Sequence, residues 1–385
     1  AVAGKYAYVT AGDLQVIEIA NPAEPRRIGG ETAAGSAVGV AISGNHAFVA
    51  DGSAGLQVID VSDSSNPQRV GKSESFREAW DVALSGDFAF VADGKAGLEV
   101  INISDTANPQ WTGGYDTRGF AQGVAVSGPY AYIADSQAGL QVIDVTDPVN
   151  PEWVGEYDTS GSANRVVVSG RYAYVADGDA GLQVIEISNP AEPQPVGAYD
   201  TSGSAAGVAL SGNFAYVADG TAGLQVIDIT NPVNPQKAGV FKTGGYLRGV
   251  AVSGDFAYLA DVTAGLQVID ISKPATPRWV AGIDGFSSYD VAVIGSTIYA
   301  AAGIDGLIIL GLDQPLRFEP PFRFTAGGFH VFMRGKAGQT VRLQRSRDLK
   351  TWEDWISLTA SENPQEVIDE SAASWRSQFY RAVVP

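Results

Sequence analysis

VADGTAGLQVIDITNPVNP, Val217–Pro235, decides the fold because the chain repeats it. Near-copies stand at Val49–Pro67, Val91–Pro109, Ile133–Pro151, Val175–Pro193 and Leu259–Pro277. Met once, two aspartates, two glycines and an Asx-Pro turn would suggest an acidic active-site loop. Met six times, they mark a structural unit, and the repeat has to be read before anything else.

The leucine that opens LQVID recurs at Leu14, Leu56, Leu98, Leu140, Leu182, Leu224, Leu266 and Leu307, at intervals of 42 and, at the last step, 41. The glycine before the AYVA-type run recurs with it, at Gly4, Gly44, Gly86, Gly128, Gly170, Gly212, Gly254 and Gly295. One unit predicts four strands, at Gly207 to Leu210, Phe214 to Ala218, Leu224 to Thr230 and Lys237 to Lys242, separated by Ser-Gly, Asp-Gly and Asn-Pro-x-x-Pro turns. Four short strands per period of about 42 residues describe the blade of a β-propeller. Near-continuous apolar runs cover both sheet faces, as face-to-face stacking of blades requires. The small residue in Val40-Ala41-Ile42, Val82-Ala83-Leu84 and Val208-Ala209-Leu210 suits blades that converge on an axis.

Eight second-to-third-strand hairpins predict an all-β, eight-bladed propeller over residues 1–314; seven blades, the alternative, would leave one hairpin without a place. The first unit enters late, at Ala1-Val2-Ala3, and the last, Tyr289 to Leu312, is expected to take Leu316 to Phe318 as its outer strand. After the Pro-rich junction Pro315 to Pro321, residues 315–385 carry strand-like runs at His330 to Arg334, Thr340 to Arg345, Trp355 to Thr359, Glu366 to Ile368 and Gln378 to Val384. These predict a small β-sandwich of the immunoglobulin or fibronectin III kind.

Composition narrows the chemistry. With 46 Gly, 19 Pro and one Met among 385 residues, the chain favours turns and strands over helices. No cysteine is present, which removes disulfides, thiolate catalysis and Cys-based zinc sites. The two histidines, His46 and His330, fall in different domains, and no apolar run approaches membrane-spanning length. Of the net charge of −18, residues 1–314 hold −20 and residues 315–385 hold +2. An acidic propeller argues against nucleic acid or anionic lipid as partner. No signal peptide is visible in the numbered chain.

The residues AGLQVIDVTDP, Ala138–Pro148, following AYIAD, Ala131–Asp135, resemble the LVIVD repeat family of bacterial and archaeal surface proteins. The likeness spans residues 1 to 312 and implies a propeller at an extracellular, cell-surface or periplasmic location, without an established chemistry. VRLQRSRDLKTWEDW from Val341, with FYRAV at 379–383, is similar to sandwich modules that end secreted multidomain bacterial proteins.

The repeated aspartates Asp51, Asp93, Asp135, Asp177, Asp219 and Asp261 end the second strand. They could form a calcium-binding carboxylate ring. The competing reading makes each an Asx cap of its own hairpin turn, and the absence of D-x-D-x-D-G spacing favours it, so no cofactor is expected. The third-strand acids Asp60, Asp144, Glu186, Asp228 and Asp270 read as turn residues, since Asn102 stands in the same series. DGxAG lacks the Lys-Ser/Thr pair and following helix of a phosphate loop. His46 takes the place of a Phe or Tyr and reads as a structural imidazole.

Function is therefore sought where the repeat breaks. Six residues before each Ser-Gly position stand Val38, Trp80, Gln122, Asn164, Ala206, Arg248 and Tyr289; eight before it stand Ser36, Glu78, Phe120, Ser162, Ser204, Tyr246 and Ser287. In a propeller the fourth-to-first and second-to-third connections open on one face around the central channel, which brings these positions together. Arg77, Trp80, Arg118, Phe120, Gln122, Asn164, Arg165, Tyr246, Arg248 and Tyr289 are the candidate ligand-binding residues, an aromatic, guanidinium and amide mixture suited to a glycan, peptide or protein partner. The alternative, a polysaccharide hydrolase, would draw on Glu78, Asp81 and Asp290 as paired carboxylates; a structural component of a surface assembly would instead use strand edges.

Overall fold

The computed structural model describes residues 35–63, 66–73 and 78–282 with their side chains, and beyond them backbone strands. It divides the chain into two compact units, Ala1–Leu312 and Asp313–Pro385.

Within the first unit stand six four-stranded antiparallel sheets, each with its strands in sequence order. These are blades 1 to 6, beginning at Gly39, Asp81, Gly123, Arg165, Gly207 and Leu247. In blade 5 the strands are Gly207–Ser211, Phe214–Ala218, Leu224–Asp228 and Gln236–Phe241, close to the expected limits. The second strand is buried at four of its five positions, which is why FAYVA reads as an unbroken apolar run.

The expectation of eight blades, with seven as the alternative, is overturned: the propeller is six-bladed. The flanking strands at Val2–Ala3 to Glu31–Thr32 form a five-stranded sheet, and those at Val291–Ile294 to Leu307–Gly311 a three-stranded one. The six complete blades are those with an aspartate after the second strand, whereas Ala11 and Ala302 take its place in the end units. Counting hairpins included two end units whose sheets are not four-stranded. Nor does Leu316 to Phe318 serve as an outer strand of the last unit; Arg317–Thr325 pairs with Gly328–Arg334 in the second unit.

The core lies between blades. Tyr216, Leu224 and Val226 of blade 5 pack with Val250, Leu259 and Ile269 of blade 6, and the same positions repeat at the other junctions. At ~25 cal/mol per Å² of apolar surface, each such cluster contributes several kcal/mol, roughly 1.5–3 per buried Leu or Ile. Ala83, Ala125 and Ala209 of the first strands lie half-buried against the cluster shared with the following blade, where blade 4 accommodates Val167.

The Pro-x-x-Pro segment closes the outer side of the same junctions. A Cβ on Gly239 in the fourth strand of blade 5 would come within 2.1 Å of the Pro274 carbonyl of blade 6, and one on Gly113 within 2.5 Å of the Pro148 carbonyl. The exit turn of each blade therefore seats on a glycine of the blade before it. Third-strand acids hold that turn: Asp228 Oδ1 accepts the Thr230 N–H at 2.8 Å, and Asn102 Oδ1 accepts the Ser104 N–H at 2.9 Å. Only an acceptor oxygen is required, which explains the amide in an acidic series.

The second unit contains two three-stranded antiparallel sheets, with strands at Gly328–Arg334, Thr340–Ser346, Glu353–Thr359, Gln365–Asp369 and Phe379–Val383 where the sequence predicts them.

Candidate functional site

The loop entering each blade is bound to the hairpin turn of the blade before it. Gly220 and Leu247 exchange backbone hydrogen bonds at 3.0 Å in each direction, and Gly52 with Ala79, Gly94 with Ala121, Ser136 with Ala163 and Gly178 with Ala205 do likewise. The repeated aspartates complete this junction. Asp135 accepts the Thr117 hydroxyl at 2.8 Å and the Gly119 N–H at 2.9 Å; Asp177 accepts the Thr159 hydroxyl at 2.6 Å and the Gly161 N–H at 2.9 Å.

The aspartates are thus structural, but most clamp the incoming loop rather than their own turn. Asp261, bonded to the N–H groups of Thr263 and Ala264, is the one that also caps its own hairpin as expected. Burial pushes the carboxyls of Asp135 and Asp219 up to about 6 against the pull of their Thr hydroxyls, and moves Asp177 the same way. Among the described residues no three His, Asp or Glu side chains gather in a group that could hold a metal ion.

This junction places the nonrepeating residues. Val38, Trp80, Gln122, Asn164, Ala206 and Arg248, one from each blade's entry, all line one cavity of about 710 Å³. Arg165 and Tyr246 line it too. Arg248 lies over the Trp80 ring at 5.5 Å, and Phe120 meets Trp80 edge-on with ring centroids 5.6 Å apart. Both rim aromatics rest on turn glycines: a Cβ on Gly94 would touch Phe120 at 3.0 Å, and one on Gly220 would touch Tyr246 at 3.2 Å.

Arg165 is held by Asp81, Nη1 to Oδ1 2.5 Å, while Asp81 Oδ2 accepts the Val124 N–H at 3.0 Å. The pair spans blades 2 and 4 across Gly123 of blade 3, where a Cβ would lie 3.0 Å from the Arg165 Cα. Gly39, Gly123 and Gly207 occupy that first-strand position at similarly close approaches, and Asp81 and Arg165 stand there in blades 2 and 4.

Other candidates are placed elsewhere. Arg118 turns outward, 3.2 Å from Glu156 and 6.0 Å from the Trp153 ring on the outer strand of blade 3. Glu78 is exposed, and its backbone N–H donates to Asp93 Oδ1 at 2.6 Å. Arg77, Tyr289 and Asp290 lie outside the described residues. With Asp81 committed to Arg165, the described residues hold no paired carboxylates at the cavity. His46 Nε2 lies 3.2 Å from the Thr106 hydroxyl of blade 2, a packing contact between blades.

The cavity also takes Gln137 and Asp179, which sequence reasoning missed. Both occupy the x of DGxAG, the letter of the turn that varies most: Ser53, Lys95, Gln137, Asp179, Thr221 and Thr263. Ser136, beside Gln137, stands where four of the other five blades have Gly and keeps the left-handed φ of 49°. Its hydroxyl accepts from Gln122 Nε2 at 2.7 Å and donates to the Phe120 carbonyl at 2.9 Å.

Radial blades with a variable cavity at one end define a β-propeller. The LVIVD repeat pattern matches residues 1–29, 34–74, 76–117, 118–159, 160–201, 202–243 and 244–283, and the chain belongs to that family. No curated protein matches the chain. Among solved structures, U3-55K is similar with a TM-score of 0.62 at 11% identity, over 76% of this chain and 99% of that one. The β-propeller domain of Cps50 (Swd1) from Myceliophteria thermophila gives 0.58 at 12%, over 72% and 97%. BamB from Moraxella catarrhalis gives 0.53 at 14%, over 80% and 93%. At such identities the likeness shows the fold alone.

Proposed function

We propose that the protein is an extracytoplasmic binding propeller that captures a glycan, peptide or protein partner at the mouth of its central channel, with the C-terminal unit, read as a sandwich, serving as spacer or attachment. One observation carries the reading: six blades that otherwise repeat contribute six different residues, Val38 to Arg248, to a single cavity. A scaffold with no task at that end has no reason to vary there while its strands stay constant. The acidic balance of residues 1–314 is compatible with an exterior location.

The test is a glycan and peptide array probed with the wild-type chain and with Trp80→Ala/Arg248→Ala. The double variant loses at least tenfold in affinity for whatever the wild type captures, with its melting curve unchanged within about 2 °C. Undiminished capture by the variant removes the site. The hydrolase alternative draws no support from the carboxylates, since Asp81 is spent on Arg165.

A further inference from the structure

Blade 2 also breaks the repeat at its end opposite the cavity. Its third strand, Leu98–Asn102, leaves the hairpin turn on which Phe120 rests and ends on Asn102, where the other blades end on Asp60, Asp144, Glu186, Asp228 and Asp270. Two residues further on, every blade has a hydroxyl: Ser62, Ser104, Thr146, Ser188, Thr230 and Ser272. An amide where the other blades have an acid therefore makes Asn102-Ile103-Ser104 the one place in the chain where Ser or Thr follows Asn two residues on without Pro between them. Asn45, Asn164 and Asn213 lack the hydroxyl, and the remaining asparagines stand before proline.

The geometry shows what the amide adds. Ser104 donates twice to Asn102 Oδ1, from its backbone N–H at 2.9 Å and from its hydroxyl at 2.7 Å. A backbone N–H only donates, so the atom facing it is the carbonyl oxygen and the NH2 group is turned away. The side chain makes no other hydrogen bond among the described residues, and Nδ2 reaches solvent. The turn needs the oxygen alone, as the acids of the other blades demonstrate, which leaves the nitrogen without a structural task. Asn102 closes its strand opposite Phe88 and Gln110, and the turn that follows, at Ser104 and Asp105, is exposed.

We propose that Asn102 is an N-glycosylation site, at which an oligosaccharide is transferred to Nδ2 from a polyisoprenyl pyrophosphate donor. The N-glycosidic bond forms between Nδ2 and the anomeric carbon of the donor, and the bond from that carbon to the pyrophosphate oxygen breaks. The displaced amide proton goes to a base of the transferring enzyme, and nothing is oxidised or reduced. The Ser104 hydroxyl, already on the carboxamide oxygen, draws electron density from the amide and eases loss of that proton. The strand's five residues, at about 3.3 Å each, place Asn102 roughly 15 Å from the hairpin turn at the rim, so the glycan stands clear of the cavity mouth. The proposal goes beyond the binding reading and takes from it only the extracytoplasmic location.

The experiment is peptide mapping by mass spectrometry of the full chain isolated from the cells that make it, with the cell fractions compared. Cleavage after Lys95 and Arg118 yields Ala96–Arg118, which carries the oligosaccharide mass on Asn102. A peptide N-glycosidase removes that mass and leaves aspartate at the position. Ser104→Ala, which keeps the backbone bond to Asn102, loses the glycan, and Ser104→Thr retains it. Unmodified Asn102 overturns the proposal, as does a glycan that persists in Ser104→Ala. An unmodified chain recovered outside the cytoplasm leaves the exterior location standing; one recovered within the cytoplasm removes both.

Discussion

Glu99 shows how one atom changes a repeated position. In the other blades a glutamine stands there, and its Nε2 donates to the carbonyl of the turn alanine: Gln57 to Ala54 at 2.7 Å, Gln141 to Ala138 at 2.8 Å, Gln267 to Ala264 at 2.7 Å. Its Oε1 accepts the indole N–H of an outer-strand tryptophan, Trp153 at 3.1 Å and Trp279 at 2.7 Å. Glu99 accepts from Trp111 in the same way, but only its protonated form carries a donor equivalent to the amide. Burial pushes its carboxyl up to about 7, against the pull of the Trp111 hydrogen bond. Because the folded value lies above the unfolded one, stability is fully present below pH ~4.5 and is lost as pH rises through 7. Glu99→Gln is therefore expected to raise Tm at pH 8 by about 2 °C, for roughly 1 kcal/mol after allowance for solvent screening, and to leave it unchanged at pH 5. Thermal melts at the two pH values decide it, and an equal shift at both would sink the account.

At the scale of elements, the unit that matters is the joint between a hairpin turn and the next blade's entry loop. Asp135, itself fully buried, holds the buried Thr117 hydroxyl and the half-buried Gly119 N–H. Asp135→Ala strands the buried Thr117 hydroxyl and frees the half-buried Gly119 N–H, so a loss of roughly 2–4 kcal/mol is expected; Thr117→Val leaves the buried Asp135 oxygen one donor short and costs about 1–3. Urea unfolding of the two variants separates this from simple turn capping, in which Thr117→Val would cost nothing. The strands, turns and rim were legible because a strict period makes every departure visible, as with Trp80 and Arg248. The clamp was not, since Thr117 and Asp135 lie 18 residues apart and only the fold makes them neighbours. The Arg118 contact was hidden for the same reason: its partner Glu156 lies 38 residues on, in an outer strand. The blade count was present in the sequence as six aspartates, but the eight hairpins concealed it.

Over the whole molecule, the repeat multiplies what the middle joints contribute, although Asp261, where burial is outweighed by Thr hydroxyls and by the Thr263 and Ala264 N–H groups, is lowered instead. Asp135, Asp177 and Asp219 are all pushed up by burial, two of them to about 6 from an ordinary value of 3.8. A folded state that binds protons more tightly than the unfolded chain is stabilised at low pH: the contribution is complete below about pH 4 and drains away as pH rises through 6. The acids that hold exit turns, Asp60, Asp228 and Asp270, are lowered by hydrogen bonds from Ser62, Thr230 and Ser272, so their contribution is lost only as pH falls below the ordinary carboxylate range. Between these windows the buried aspartates decide the sign, and the net charge of −18 at pH 7 adds self-repulsion in the same direction. Calorimetric melting is therefore expected to give a higher Tm at pH 5.0 than at pH 7.5, by several degrees. Salt separates the two causes, because about 0.5 M NaCl screens surface repulsion but leaves a dry junction untouched. A pH dependence that survives salt belongs to the junction aspartates and shrinks in Asp135→Asn; one that salt abolishes belongs to the surface, and a Tm that rises toward pH 7.5 contradicts both.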